Sequence, residues 1–268
     1  NKLQAMQQLS PYIDYIQQMP SWQLIIGGIA TVAAVFVVSK RQFLPLVIPA
    51  LSQTIWLTLK GKTAEQYTLE YVLANSEEGN PESVLKAFDD LTGDVKGKMP
   101  KLMLMNVGNE KGAFLTEMIK KSDSKIIFEY GGHTGYSALL MGNAIKDKPG
   151  AKFYSFEFNP LYAAIATKII EHAGLSHIVK VIIGPAGERI KDIAKRDNLT
   201  GKVDFLFIDH LKSLYLPDLK TTEGLNLLHP GSYVCADNVG FPGAPKYREY
   251  IENNKDYVTE SRETEGFI

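Results

Sequence analysis

Five short runs concentrate the side chains that could do chemistry. They are Glu129-Tyr-Gly-Gly-His-Thr-Gly135, Glu157-Phe-Asn-Pro160, Gly184-Pro-Ala-Gly187, Asp209-His-Leu-Lys212 and Asp237-Asn238. Asp209, Asp237 and Asn238 are two carboxylates and an amide, a hard-oxygen set suited to Mg²⁺, which keeps positions open for water or substrate. Taken singly, each is a common cap or turn residue. Lys212 follows Asp209 by three positions. A lysine beside a bound cation can give up its proton and serve as a base; away from one it is an ordinary solvated residue. Gly131, Gly132 and Gly135 form a loop through which backbone can approach a ligand closely. Glu157 stands about where a nucleotide-binding fold places its ribose acid. The pair points to an adenosine-containing ligand, although the glycine spacing is G-G-x-x-G rather than the dinucleotide G-x-G-x-x-G. His133 and His210 have no partner spacing for zinc, and His210 reads as a ligand-packing or hydrogen-bonding residue. Cys235 reads as a small core residue.

These runs need elements to carry them. Residues 125–129, 152–156, 178–183, 203–208, 232–236 and 257–261 read as strands, several of them near-continuous apolar runs as in strands buried on both faces. Helical stretches at about 136–146, 160–173, 186–196, 215–228 and 245–254 separate them. Upstream, Thr63 and Gln66 form a capping box for a helix to about residue 75, and Asn80-Pro81 opens a second helix to about residue 91. Residues 93–100 are a charged, glycine-containing loop. Strand–helix alternation predicts an α/β fold, an open, mostly parallel sheet covered on both faces. Such sheets bind ligands beyond the C-terminal ends of their strands, and each of the five runs follows a strand.

Composition narrows the function classes. The 268 residues include 29 Lys plus Arg and 30 Asp plus Glu, a formal charge of −1, without the basic excess of a nucleic-acid binder. The single cysteine excludes an internal disulfide framework and a Cys-rich zinc site, and fits a reducing compartment. Charge is absent from most of residues 1–59, where only Lys2, Asp14, Lys40 and Arg41 carry it. Residues 22–38 are an uncharged apolar run with Trp22 at one end and Lys40-Arg41 beyond the other. They read as a membrane helix at the lower length limit for spanning. A second apolar stretch, 43–59, holds Pro45, Pro49, Ser52, Gln53 and Thr54 and reads as interfacial. The expected organisation is an anchor segment, 1–59, and a catalytic domain, 60–268. With a single span, the basic pair places the domain on the cytoplasmic side.

Taken together and in order, the blocks resemble the catechol O-methyltransferase family from about residue 63 to about residue 254. The carrying motifs are Met105-Asn-Val-Gly108 with Lys111-Gly112, Gly135-Tyr-Ser-Ala138, Glu157 with Asn159-Pro160, Ala173-Gly-Leu175, Asp209-His210 with Tyr215-Leu-Pro-Asp218, and Ala236-Asp-Asn-Val239 with Pro242-Gly243. The resemblance implies a Rossmann-like methyltransferase that uses S-adenosylmethionine and Mg²⁺ to methylate a hydroxyl of a catechol. It implies a donor site of Val107, Glu129, Gly131, Tyr136, Ser137, Glu157, Phe158, Ala186 and His210, with Glu157 on the ribose hydroxyls. Asp209, Asp237 and Asn238 would hold Mg²⁺, and Lys212 would be the general base. Lys212, Asn238, Pro242 and Glu265 would face the acceptor. Membrane-bound forms of the family carry one N-terminal anchor.

The chain departs from the family pattern in places. Met103 and Leu211 stand where tryptophans are usual, Phe241 where an aliphatic residue is usual, and Gly184-Pro-Ala-Gly187 lacks the polar pair that contacts adenine. The donor site is expected to survive and the acceptor site to differ. Glu265 lies two positions early for the family's catechol-binding glutamate, and the expected final strand is absent, so the chain reads as C-terminally incomplete. Two alternatives stay open: the same chemistry on another vicinal diol or phenol, and a non-catalytic protein on the same fold. A nicotinamide-dependent oxidoreductase is disfavoured by the missing G-x-G-x-x-G.

Overall fold

The computed structural model describes residues 55–92 and 106–262 together with positions 53, 102 and 104; of Phe241 and Pro242 it describes the backbone only. The chain divides into two compact units, Asn1–Lys60 and Gly61–Ile268, and the elements below belong to the second. The expected membrane helix, 22–38, lies outside the described residues, as do Met103, Glu265 and most of 43–59. Among the described residues no helix is long and apolar enough to cross a membrane.

Helix α1 (Ala64–Asn75) opens on the expected capping box: Gln66 N–H donates to Thr63 Oγ1 at 3.2 Å, and Thr63 N–H donates to Gln66 Oε1 at 2.9 Å. Helix α2 (Pro81–Thr92) starts at its proline, with Asn80 Oδ1 accepting from Ser83 N–H. Helix α3 (Gly108–Lys121) was not expected from the sequence. Its buried Gly112, Leu115 and Ile119 follow helical spacing, and Lys120 and Lys121 in its last turn suit the negative end of its dipole.

The chain then alternates: β1 (Ile126–Tyr130), α4 (Tyr136–Ile145), β2 (Lys152–Glu157), α5 (Pro160–His172), β3 (Val179–Ile183), α6 (Ala186–Asp197), β4 (Val203–Ile208), a 3₁₀ turn (Lys212–Leu214), α7 (Tyr215–Gly224), β5 (Leu228–Ala236), a π turn (Val239–Gly243) and α8 (Pro245–Asn253). All five strands are parallel, in the order β3-β2-β1-β4-β5. The period of two sorts the side chains into two cores. Ile127, Phe153, Phe205 and Phe207 face a layer built with α1–α5. Phe128, Tyr130, Phe156, Leu206 and Ile208 face a layer built with α6–α8.

Two expectations need correction at the β5 edge. Pairing begins at Leu228, not at Ser232: residues 229–232 make an irregularity in the ladder, with Ser232 Oγ donating to Val203 O at 2.7 Å, so the Pro230-Gly231 pair lies within the strand. This also ends α7 at Gly224 rather than near 228. Residues 257–261 are not a strand. They take no ladder bond among the described residues; Val258 is fully exposed, and Tyr257 is held by its hydroxyl on Glu223. Between this segment, β5 and α3 runs a groove of about 1370 Å³ that reaches Lys111, Asp237 and Asn238 at the rim.

Candidate active site

Strand order reverses between β1 and β4, so the loops leaving them diverge and open a crevice. Gly131 makes the loop after β1 possible. Its φ is +95°, and a Cβ there would stand 2.6 Å from the carbonyl oxygen of Asp209. The glycine therefore lets the loop run against the backbone of Asp209 and His210 at the top of β4.

Two buried acids brace this side. Glu157, at the end of β2, accepts His133 N–H on Oε2 and Asn159 N–H on Oε1, both at 2.7 Å. A carboxylate offers about four lone-pair sites, so each oxygen keeps capacity for one more donor. Glu129 is fully buried and lies opposite Ser155 in the β1–β2 ladder. Ser155 Oγ donates to its Oε2, while Oε1 has no hydrogen-bond partner among the described residues. Burial pushes this carboxyl up to about 7; Ser137 and Ser155 oppose the shift, and the charges of Asp209 and Glu157 add to it. A buried acid with an idle oxygen at a crevice is a feature of binding sites.

The other side is a cluster of opposite charges. Lys111, one turn into α3, donates to both oxygens of Asp237 at 2.7 and 3.0 Å. Lys212 donates to Asp209 Oδ1 at 3.2 Å and to the Asp237 carbonyl at 3.3 Å. Tyr215, fully buried, shares its hydroxyl with Lys212 Nζ and donates to the Asp237 carbonyl at 3.0 Å. Burial pushes the Asp209 carboxyl up to about 6; Lys212 opposes this, and the nearby Asp237 charge adds to it. Burial also holds the Tyr215 phenol far above its usual range, reinforced by Asp209 and Asp237, so it stays neutral. Asn238 is held at φ +52°, and its N–H donates to Asp237 Oδ1 at 2.7 Å. Among the described residues no three His, Cys, Asp or Glu side chains gather as a metal site; the expected set takes an amide as its third member.

His210 makes no hydrogen bond to the acids or lysines of this cluster and joins it only through its ring. Its Nε2 lies 2.8 Å from Asp218 Oδ2, and its ring stacks on Tyr215. Phe158, beyond β2, is a large apolar side chain 42% exposed at the rim. Ala186 begins α6 beyond β3, and Val107 precedes α3. Ser137 is buried beside Glu129. Tyr136 turns its side chain toward α2: its hydroxyl donates to Asp89 at 2.9 Å and its ring meets Phe88 edge-on.

The structure thus brings Asp209, Asp237 and Lys212 together, with the backbone of Asn238. Glu129, Gly131, Ser137 and Glu157 meet at the adjoining loop. Three participants belong to motifs that carry the resemblance but have no site role in the sequence analysis: Lys111, Tyr215 and Asp218. The placement of Lys111 depends on α3, which the sequence pattern does not reveal. Tyr215 and Asp218 lie at the start of α7, where helical spacing after Lys212 would have aimed them back at the rim.

The family model for O-methyltransferase matches residues 80–259. Catechol O-methyltransferase of Bos taurus is 36% identical over 196 residues, 73% of this chain and 69% of its own length. The transmembrane O-methyltransferase of Homo sapiens is 30% identical over 231 residues, 86% of this chain and 76% of its own. A solved O-methyltransferase of Bacillus cereus, in complex with SAH, superposes with a TM-score of 0.51 at 24% identity, over 70% of this chain and 80% of that one, a likeness of fold.

Proposed function

Because the chain belongs to the O-methyltransferase family, we propose that it transfers a methyl group from S-adenosylmethionine to a hydroxyl of a catechol. The observation that carries the reading is the meeting, at one crevice, of a glycine loop braced by two buried acids and the Asp209–Asp237–Lys212 cluster. The donor is cationic at its sulfonium and at its amino group. The idle oxygen of Glu129 suits that ammonium, and the spare lone pairs of Glu157 suit the ribose hydroxyls. Val107, Gly131, Tyr136, Ser137, Phe158, Ala186 and His210 complete the donor site in this reading, Tyr136 by its backbone. Asn238 and Pro242, with Glu265, are assigned to the acceptor side.

The acceptor oxygen attacks the sulfonium methyl in line. The carbon–sulfur bond breaks as the carbon–oxygen bond forms, leaving S-adenosylhomocysteine. Lys212, in its neutral amine form, would take the hydroxyl proton and become the ammonium, with Tyr215 and the Asp237 carbonyl holding its Nζ in place. Holding two reactants in contact and alignment supplies much of the acceleration.

The donor set fits a divalent cation: two carboxylates, one of them pushed up by burial, next to an amide. Asp209, Asp237 and Asn238 would hold Mg²⁺, which when bound lowers the pKa of a coordinated hydroxyl. Residues 22–38 are proposed as a membrane anchor, a reading supported by the relatives named transmembrane.

The test is methyl transfer from labelled S-adenosylmethionine to a simple catechol, with Mg²⁺ and with chelator, beside Asp209→Ala and Lys212→Ala. Metal-dependent transfer abolished by both substitutions is the expected result. Donor binding without transfer to any catechol would move the acceptor to another phenol or diol. No donor binding would refute the reading.

A further inference from the structure

His210 has one polar hold. Its Nε2 meets Asp218 Oδ2 at 2.8 Å, while Nδ1 is buried with no partner among the described residues. The other contacts are ring faces: Tyr215 stacked at 10° with centroids 5.3 Å apart, and Tyr130 edge-on at 5.7 Å. Stacking fixes the plane of an imidazole but not which edge points where. The contact with the Asp218 carboxyl fixes where Nε2 points and so sets the orientation of the whole ring.

The same carboxylate reaches a second strand-end loop. Asp218 is 4% exposed, and a Cβ on Gly187 would stand 2.4 Å from its Oδ1. Gly187 lies in the first turn of α6, whose N-cap Pro185 offers no side-chain oxygen to the open N–H groups. A negative charge is favoured at such an end. Asp218 on α7 therefore bonds His210 in the turn after β4 and lies close against Gly187, which follows Ala186 in the turn after β3. It makes no hydrogen bond to Asp209 or Lys212, and its link to the charge cluster runs through the stack of His210 on Tyr215.

We propose that Asp218 is a positioning residue for the adenosyl end of the methyl donor, acting through His210 and the 185–187 turn. The inference rests on the reading of the rim as an S-adenosylmethionine site. It assigns to one buried acid the job of holding two loops at a fixed separation, so that a flat base finds its slot already formed.

The test is calorimetric binding of S-adenosylhomocysteine to the full chain and to Asp218→Ala, Asp218→Asn, His210→Ala, Gly187→Ala and the Asp218→Ala/His210→Ala pair, with steady-state kinetics alongside. Asp218→Ala is expected to weaken binding about tenfold, the loss of a charge-assisted hydrogen bond. The kcat at saturating donor should stay within about threefold and the acceptor KM should not move, since the interaction is a binding one rather than one made only in the transition state. Asp218→Asn keeps an acceptor oxygen and should recover a large part of the affinity. In the His210→Ala background, Asp218→Ala should add less than about threefold, because contacting residues do not act independently. Should Asp218→Ala fail to fold, Gly187→Ala carries the test, since its Cβ displaces the carboxylate and should weaken binding in the same way. Unchanged affinity in Asp218→Ala, or in Gly187→Ala where that variant stands in, would overturn the inference, as would full multiplication of the two losses. Failure of the unaltered chain to bind S-adenosylhomocysteine would instead overturn the donor site.

Discussion

Glu129 stands in a place that costs the fold stability, and that cost can be read as a function of pH. The carboxyl is fully buried and pushed from 4.5 to about 7, chiefly by desolvation. A displacement of that size corresponds to roughly 3 kcal/mol. Because the folded-state value is raised, the contribution favours folding below pH 4.5, falls as pH rises, and is lost once pH passes about 7. Asp209, pushed up to about 6, loses stability in an overlapping window, so the unaltered chain alone cannot isolate Glu129. Glu129→Gln can. Whatever the amide does to packing is the same at every pH and cancels between conditions. The stability difference between the variant and the unaltered chain, from urea denaturation, should therefore move by roughly 3 kcal/mol in favour of the variant between pH 4 and pH 8. The same substitution should weaken S-adenosylmethionine binding, because an amide cannot pair with an ammonium as a carboxylate does. A difference that stays flat across that range would refute the account of Glu129 as a buried acid kept for its ligand.

Tyr215→Phe keeps the stack on His210 and removes the hydroxyl shared by Lys212 and the Asp237 carbonyl; it should cost about 1 kcal/mol in denaturation and lower kcat by about tenfold with donor affinity unchanged. Lys111→Met strips the cation from a carboxylate only 14% exposed; it should destabilise by about 2 kcal/mol, and Mg²⁺ should raise its melting temperature more than that of the unaltered chain, an equal response counting against a cation site at Asp237. Gly131→Ala forces a side chain onto φ +95° and to within 2.6 Å of the Asp209 carbonyl; a loss of about 2 kcal/mol and of activity is expected from thermal unfolding and methyl-transfer assays.

The sheet was legible because its strands are simple. VDFLFI is buried on both faces and could be nothing but an internal strand, and its ends were read to the residue. The Thr63 capping box was equally plain, since both of its hydrogen bonds are local. The errors fall where context decides. Pro230-Gly231 has the chemistry of a turn, yet the neighbouring strand draws it into the ladder through Ser232 and His229. Residues 257–261 open with Tyr, Val and Thr, which favour strands, but propensity does not supply a partner. Helix α3 was obscured because its buried face is only Gly112, Leu115 and Ile119, among exposed charges.

The site divides along the same line between local and distant information. Acids and glycines at strand ends announce themselves, because the fold sends every strand's C-terminus to one rim. How they are held does not. The Lys111–Asp237 pair spans 126 positions and the Ser155–Glu129 bond 26. Each is a consequence of which strand lies beside which. Strand adjacency, in turn, is what places Asp209 between β1 and β5, where two lysines reach the two acids. With the charges of Asp209, Asp237, Lys111 and Lys212 balanced within the protein, a divalent cation at these acids would have to displace or repel a lysine. Metal affinity at these acids should therefore rise when Lys111 is neutralised, because the lysines repel the cation that the proposed acids would attract.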